Sequence, residues 1–211
     1  TPDMAAMYLD LGADDVVVAS AAAGEIALRA RTLIKRKNLQ DRLRDTVRDG
    51  LQAAVTDQLT GLFNRRYVDP HLARMAQKAQ ESGDAMAVMM VDIDHFKSIN
   101  DSFGHLAGDK LLQAFASILT SATRDSDIVG RWGGEEFVII CPDTDLQGCK
   151  KLAEQLKKQI AAYPFAHTQK LTASLGIACY QKDETANDII NRVDKALYRA
   201  KQLGRNRIEI G

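Results

Sequence analysis

The chain has 211 residues, enough for one sizeable domain with a fragment beside it. Its 28 Lys and Arg balance 28 Asp and Glu, so no global field favours nucleic acid or an acidic membrane surface. No apolar run approaches the ~18 residues of a membrane span, and Cys141, Cys149 and Cys179, with no Cys-x-x-Cys, read as free thiols in a reducing, cytoplasmic setting rather than a disulfide or a zinc site.

Met4 to Leu11 is a short helical pattern stopped by Gly12, and Val16-Val17-Val18 is a brief candidate for a buried strand. From Ala21 to Val55 a helix runs almost unbroken, with Ile26, Leu33, Leu39, Leu43, Val47 and Leu51 among its apolar positions. Its length fits a connector that pairs with a second copy, and its imperfect heptad leaves a single packed helix open. The Arg and Lys on its other faces read as solvated, because acids are mixed in and no aromatics interleave.

From Asp57 onward the elements alternate. The spacing predicts a helix over Arg65 to Gln80 and a strand over Ala85 to Ile93, the latter too continuously apolar to be a one-sided surface strand and so central in its sheet. A helix over Leu106 to Leu119 follows, then a hairpin whose apolar arms, Ile128-Val129 and Phe137 to Ile140, flank Gly133-Gly134. Helices over Leu146 to Ile160 and Ala186 to Lys201 alternate with strands over Leu171 to Tyr180 and Arg207 to Ile210. This order implies an α+β fold, a mixed β-sheet covered by helices and related to the ferredoxin-like plan.

The chemistry gathers around the hairpin. Gly133-Gly134-Glu135-Glu136-Phe137 puts two carboxylates at a turn bare enough for close approach of a bulky anion, and adjacent carboxylates suit a hard divalent cation. An ordinary hairpin with solvated acids is the bland alternative. The central strand ends in Asp92-Ile93-Asp94, whose two acids face the same way and are costly to bury unless they meet a cation or leave the core. Lys97 follows at a turn whose N–H groups suit phosphate. Asn100 and Asp109 form an amide–carboxylate pair able to match the guanine edge, although a turn residue and a solvated acid are the simpler readings of each alone. Lys201 and Arg205 flank Gly204 at a helix end, where the helix dipole alone favours cations and where a polyphosphate clamp is the sharper reading.

Taken together, Asp57 to Arg66, Asp92 to Lys97, Asn100-Asp101, Gly104-His105, Gly108-Asp109, Gly133 to Phe137, and Lys201 with Gly204-Arg205-Asn206 resemble the GGDEF family of diguanylate cyclases in its GGEEF form. The resemblance spans about 57 to 211 and implies the family's palm-like nucleotidyl cyclase fold. Residues 1–37 resemble the C-terminal part of a response-regulator receiver, and residues 38–56 then form a helical linker or dimerisation helix, an arrangement similar to the PleD-like members of the family. Ala19-Ser20 stands where receivers usually carry Lys-Pro, which implies an adaptor-type remnant.

The resemblance implies condensation of two GTP into cyclic di-3′,5′-GMP and two pyrophosphates by a homodimer, with Mg²⁺ or alternatively Mn²⁺ as cofactor and with no nucleic acid and no membrane span involved. It makes Asp92, the Ile93 carbonyl, Glu135 and Glu136 metal ligands, and Glu135, Lys97 and Glu136 catalytic. Asn100, His105, Asp109, Phe96, Lys201 and Arg205 bind substrate. Arg124, Asp127 and Arg131 correspond to a site at which the product, cyclic di-GMP, inhibits. Gln155 stands where some relatives add an arginine, so binding of paired product molecules is expected to be weaker or rearranged. A catalytically silent module that binds GTP or cyclic di-GMP is the competing expectation, and turnover of GTP separates the two.

Overall fold

The computed structural model describes residues 2–17, 19–165 and 171–211, of which 2, 3, 5, 9, 47–49 and 51 are described by backbone alone. The chain divides into two compact units, Thr1–Gln52 and Ala53–Gly211. The first holds α1 (Pro2–Asp10) and most of the long α2 (Ala23–Val55). Val16 and Val17 are not in a strand, and Val18 lies outside the described residues. A strand needs a ladder partner for its N–H and C=O groups; the Val16 amide instead donates to Asp15 Oδ1 at 2.9 Å, and no strand is described in this unit. The α2 positions Ile26, Leu39 and Leu43 are 46%, 69% and 63% exposed, while the side chains of Val47 and Leu51 lie outside the described residues.

The second unit contains β1 (Phe63–Asn64), α3 (Arg65–Ser82), β2 (Met86–Ile93), α4 (Phe96–Phe103), α5 (His105–Ala122), β3 (Ile128–Gly133), β4 (Glu136–Pro142), α6 (Leu146–Ala162), β5 (Ala173–Cys179), α7 (Ala186–Gln202) and β6 (Ile208–Ile210). The strands form one sheet in the order β1-β3-β4-β2-β5-β6. β2 lies antiparallel between β4 and β5, while β1 pairs with β3 and β6 with β5 in parallel. All eight residues of β2 are buried, as its unbroken apolar run predicts.

Alternation along β2 assigns each helix to a face. Ala87, Met89, Val91 and Ile93 share a core with Leu111, Phe115 and Leu119 of α5 and with Cys149, Leu156 and Ile160 of α6. Met86, Val88 and Met90 share the other with Val68, Leu72 and Ala76 of α3 and with Ile189, Val193 and Leu197 of α7. Each fully buried large side chain of this kind stabilises the fold by ~1.5–3 kcal/mol.

α7 lies directly on β5. A Cβ on Gly176 would stand 2.3 Å from the Val193 carbonyl oxygen and 2.5 Å from the Leu197 nitrogen, so only glycine permits this approach. The start of α7 is fixed by a capping box between Thr185 and Asp188, worth ~1 kcal/mol relative to an alanine cap. The three cysteines are free, with Cys141 and Cys149 buried, and burial pushes the Cys149 thiol up to about 12.

Candidate active site

The register of the sheet sets Glu136 of β4, Asp92 of β2 and Ser174 of β5 side by side in one row. Even-numbered residues of β2 face α3 and α7, so Asp92 meets the end of α7. There Lys201 Nζ donates to Asp92 Oδ2 at 2.7 Å and stands 3.7 Å from Glu136 Oε1. Asp92 is only 6% exposed. Burial pushes its carboxyl up to about 6, the Lys201 ammonium opposes that rise, and the charges of Glu135 and Glu136 add to it. Two carboxylates thus share a single ammonium with the charge of Glu135 close by, an arrangement short of positive charge.

The hairpin carrying these acids is clasped from behind. Gly134 takes φ 47°, and the register shifts between Arg131 and Gly133. Arg131 donates through Nε at 2.9 Å and Nη2 at 2.7 Å to the Gly134 carbonyl, while its Nη1 reaches both oxygens of Asp57 at 3.1 and 3.2 Å. Asp57 also accepts from the Thr60 amide and hydroxyl at 2.9 and 2.7 Å. Partial burial raises the Asp57 carboxyl, and the bonds from Thr60 and then Arg131 outweigh it, leaving the carboxyl below its ordinary value. The Arg131 guanidinium is therefore spent on the hairpin and on Asp57, unlike the ligand-facing role that the sequence resemblance implies for it. Opposite the tip, the Ile93 amide donates to the Glu135 carbonyl at 3.4 Å.

The acids of Asp92-Ile93-Asp94 have different fates. Asp94 is 3% exposed and satisfied by three donors: Thr172 Oγ1 at 2.7 Å, Ser174 Oγ at 2.6 Å and the Asn206 amide at 3.0 Å. Asp92 instead meets the Lys201 ammonium beside Glu136.

On the other side of β2's end, α4 and α5 are joined at Gly104. An ideal Cβ on Gly108 would stand 1.9 Å from Asn100 Oδ1 and 3.1 Å from Phe96 Cζ, so the bare glycine makes room for both side chains beside Asp109. Asn100 Oδ1 is buried without a hydrogen-bond partner among the described residues, a loss of ~1–3 kcal/mol that a ligand N–H would recover. Asp109 is half-buried, Phe96 buried, and Lys97 and His105 exposed. Arg205 is exposed on the turn after α7.

Arg124 and Asp127 form a separate polar turn. The Arg124 amide donates to Asp127 Oδ2 at 2.9 Å and the Asp127 amide to the Arg124 carbonyl at 3.0 Å. They line a cleft of about 250 Å³ with Thr120, Thr123 and Leu62. Asp127 Oδ1 is buried without a partner among the described residues, and the Arg124 side chain is exposed. A cleft of about 240 Å³ bounded by Met75, Met86 and Pro142 lies at the opposite end of β2 and β4 from the acids.

Among the described residues no group of three or more His, Cys, Asp and Glu side chains is placed to hold a metal ion. The acids nevertheless fit a hard cation. Magnesium typically takes one or two carboxylates and completes its octahedron with substrate phosphates and water, and the charge deficit around Asp92 is what such an ion relieves.

Several of these features were hidden in the sequence. Asp57 opens a recognisable motif, yet nothing local indicates that its partner is Arg131. Asp94 looks equivalent to Asp92 until its donors come from β5 and the turn after α7.

Comparison with known proteins places this site in a family. Residues 54–207 match the family model described as diguanylate cyclase, GGDEF domain. The response regulator PleD of Caulobacter vibrioides is 39% identical over 206 residues, covering 95% of this chain and 45% of PleD. The diguanylate cyclase DgcP of Pseudomonas aeruginosa is 39% identical over 193 residues, covering 88% of this chain and 29% of DgcP. The chain thus spans less than half the length of either relative. Among solved structures, the coiled coil and GGDEF domain of DgcB from Caulobacter crescentus in complex with c-di-GMP matches with a TM-score of 0.78 at 30% identity, over 88% of this chain and 100% of that one. The active GGEEF domain of a diguanylate cyclase from Vibrio cholerae matches with a TM-score of 0.67 at 36% identity, over 70% and 96%.

Proposed function

Since the chain belongs to the GGDEF family of diguanylate cyclases, we propose that it condenses two GTP into cyclic di-3′,5′-GMP. Each 3′-oxygen attacks the α-phosphorus of the other nucleotide. Two P–O bonds form, two phosphoanhydride bonds break, and two pyrophosphates leave with the bonding electrons while two hydroxyl protons are given up. The observation that carries this reading is the row of Glu136 and Asp92 closed by Lys201, a charge-deficient cluster at the end of a buried strand.

Roles follow from position. Glu135, at the hairpin tip, takes the 3′-hydroxyl proton. Asn100 and Asp109 read guanine, the first through its unpartnered Oδ1, with Phe96 and His105 lining the base. Lys201 and Arg205 hold the β- and γ-phosphates, and Lys97 faces the charge that develops during transfer. Magnesium or manganese, held by Asp92, the Ile93 carbonyl and Glu135 with Glu136 at a second position, supplies charge neutralisation and in-line geometry when bound.

One domain carries one set of these groups, so the two-nucleotide product requires a homodimer. The exposed Ile26, Leu39 and Leu43 of α2 support pairing through that helix. In this reading residues 1–37 are a receiver remnant, 38–56 the linker and 57–211 the catalytic domain, with the PleD match across 95% of the chain in support. Product feeds back at Arg124 and Asp127, a reading supported by the cleft and the unpartnered Asp127 Oδ1. The bacterial cytoplasm, where GTP is available, is the matching location.

The test is direct. The chain incubated with GTP and Mg²⁺ at high protein concentration yields cyclic di-GMP and pyrophosphate in a 1:2 ratio, as followed by chromatography. GTP left intact would sink the enzyme reading.

A further inference from the structure

Asp94 touches no proposed ligand position, yet its buried side chain takes three donors. Its backbone amide donates to the Thr172 carbonyl at 3.0 Å. Its side chain accepts from two hydroxyls, Thr172 just before β5 and Ser174 within it, and from the amide of Asn206. These three donors satisfy the buried carboxyl from within the protein.

The third donor comes from an unusual turn. After α7 the chain takes positive φ at three successive residues, Gly204 (109°), Arg205 (61°) and Asn206 (48°). Glycine adopts this region freely and asparagine tolerates it, but arginine does so only where its surroundings hold it. The Arg205 amide donates back to the Ala200 carbonyl at 2.9 Å, and Lys157 of α6 donates through Nζ to the Asn206 carbonyl. A third restraint is the Asn206 amide on Asp94 Oδ2, where an N–H in a left-handed turn points at a buried carboxyl. The same turn carries Arg205 and follows the helix end that carries Lys201.

We propose that Asp94 is a positioning residue for the phosphate-facing end of the site, its carboxylate pinning the left-handed Gly204–Asn206 turn, and with it Arg205 and the end of α7, to the end of the central strand β2 next to Asp92. The inference rests on the phosphate-binding roles given above to Lys201 and Arg205. It divides the two acids of Asp92-Ile93-Asp94 into one that faces ligand and one that fixes the geometry of the residues opposite. Asparagine at 94 keeps an acceptor for Asn206 and loses the charge, whereas alanine removes both.

The test pairs a readout independent of turnover with a kinetic one. In Asp94→Ala, hydrogen exchange at the Asn206 amide accelerates at least about tenfold, while amides at the centre of β4 such as Val138 keep their rates. Affinity for GTP in calorimetry falls by about tenfold or more, and in turnover KM rises by a similar factor with kcat within about threefold of the parent. Asp94→Asn lies between parent and alanine in both readouts. Thr172→Val, which removes one hydroxyl donor and leaves the carboxylate, accelerates Asn206 exchange a few-fold and decides the question where Asp94→Ala does not fold.

Unchanged Asn206 exchange in the folded variants would overturn the proposal. So would a uniform acceleration across the sheet, which marks general destabilisation, or a fall in kcat with KM unmoved. An inactive parent chain would remove the cyclase reading alone, because exchange at Asn206 and GTP affinity still decide the role of Asp94.

Discussion

The acid row at the end of β2 and the apolar positions of α2 are both incomplete, in opposite ways. Around Asp92 the shortage is electrostatic: Asp92 and Glu136 share one ammonium, and burial pushes the Asp92 carboxyl up to about 6, with the charges of Glu135 and Glu136 adding to the rise. Along α2 the shortage is of contact, because Ile26, Leu39 and Leu43 remain in water. A charge deficit invites a cation with its anionic nucleotide, whereas an exposed apolar stripe invites a second copy of the same surface. The first need is specific in chemistry and local in space. The second is repeated and tolerant of single changes. Mutations should therefore act steeply at the acids and gradually along the helix.

The largest effect is expected from Glu135→Gln, which keeps the shape of the hairpin and removes its proton acceptor. Turnover falls by about 10³-fold with the thermal midpoint nearly unchanged, and a rate assay beside a melting curve checks both. Retained activity would remove Glu135 from the chemistry. Next comes Arg124→Ala: the inhibition constant for cyclic di-GMP rises by about tenfold or more, the equivalent of ~1.4 kcal/mol, with the initial rate little changed. Progress curves with added product report it, and an unaltered constant would refute that surface as the brake.

The helix gives a smaller and conditional effect. Leu39→Glu with Leu43→Glu lowers the rate about tenfold in dilute protein, and the deficit shrinks as concentration rises, because the substitutions weaken association rather than chemistry. Sedimentation beside a concentration series checks this, and a deficit independent of concentration contradicts it.

The smallest effect concerns Asp57→Asn. The native carboxyl lies below its ordinary 3.8, so its stabilising contribution is present above that value and is lost as pH falls through the folded-state value. The variant is less stable by ~0.5–1 kcal/mol at neutral pH, after allowing for the solvent exposure of the pair, and the difference closes below about pH 4. Denaturant melts at pH 7 and at acid pH measure it.

The sequence made the long-period features readable. Period-2 and period-3.6 patterns located β2, the hairpin and the four helices from α3 through α7 that exceed a dozen residues, because each buries a face repeated many times. It did not reveal β1, two residues long and paired in parallel with a strand more than sixty positions later, nor did it mark α4 as a separate helix. Val16 and Val17 were apolar enough for a strand, but no strand is described beside them and the Val16 amide turns to the Asp15 side chain. At the site, residue types and spacing pointed to the acids and the cations. The partners of those acids were hidden, since Asp94 and Asn206 stand 112 positions apart and Asp57 and Arg131 stand 74 apart. No local pattern encodes a contact made only when the sheet closes. For the same reason Arg131 looked free to meet a ligand while its guanidinium was already committed.

Gly176 has a consequence beyond close packing. Because the backbone of α7 rests on it, with the Val193 oxygen and the Leu197 nitrogen where a methyl would stand, the missing side chain acts as a spacer of zero thickness. Lys201 lies one helical turn beyond Leu197 on that rod, so the gap between its ammonium and Asp92 is gauged from a point in the middle of β5. A single carbon added there would lift the rod, and the reach of the lysine would be reset by a residue that touches neither charge.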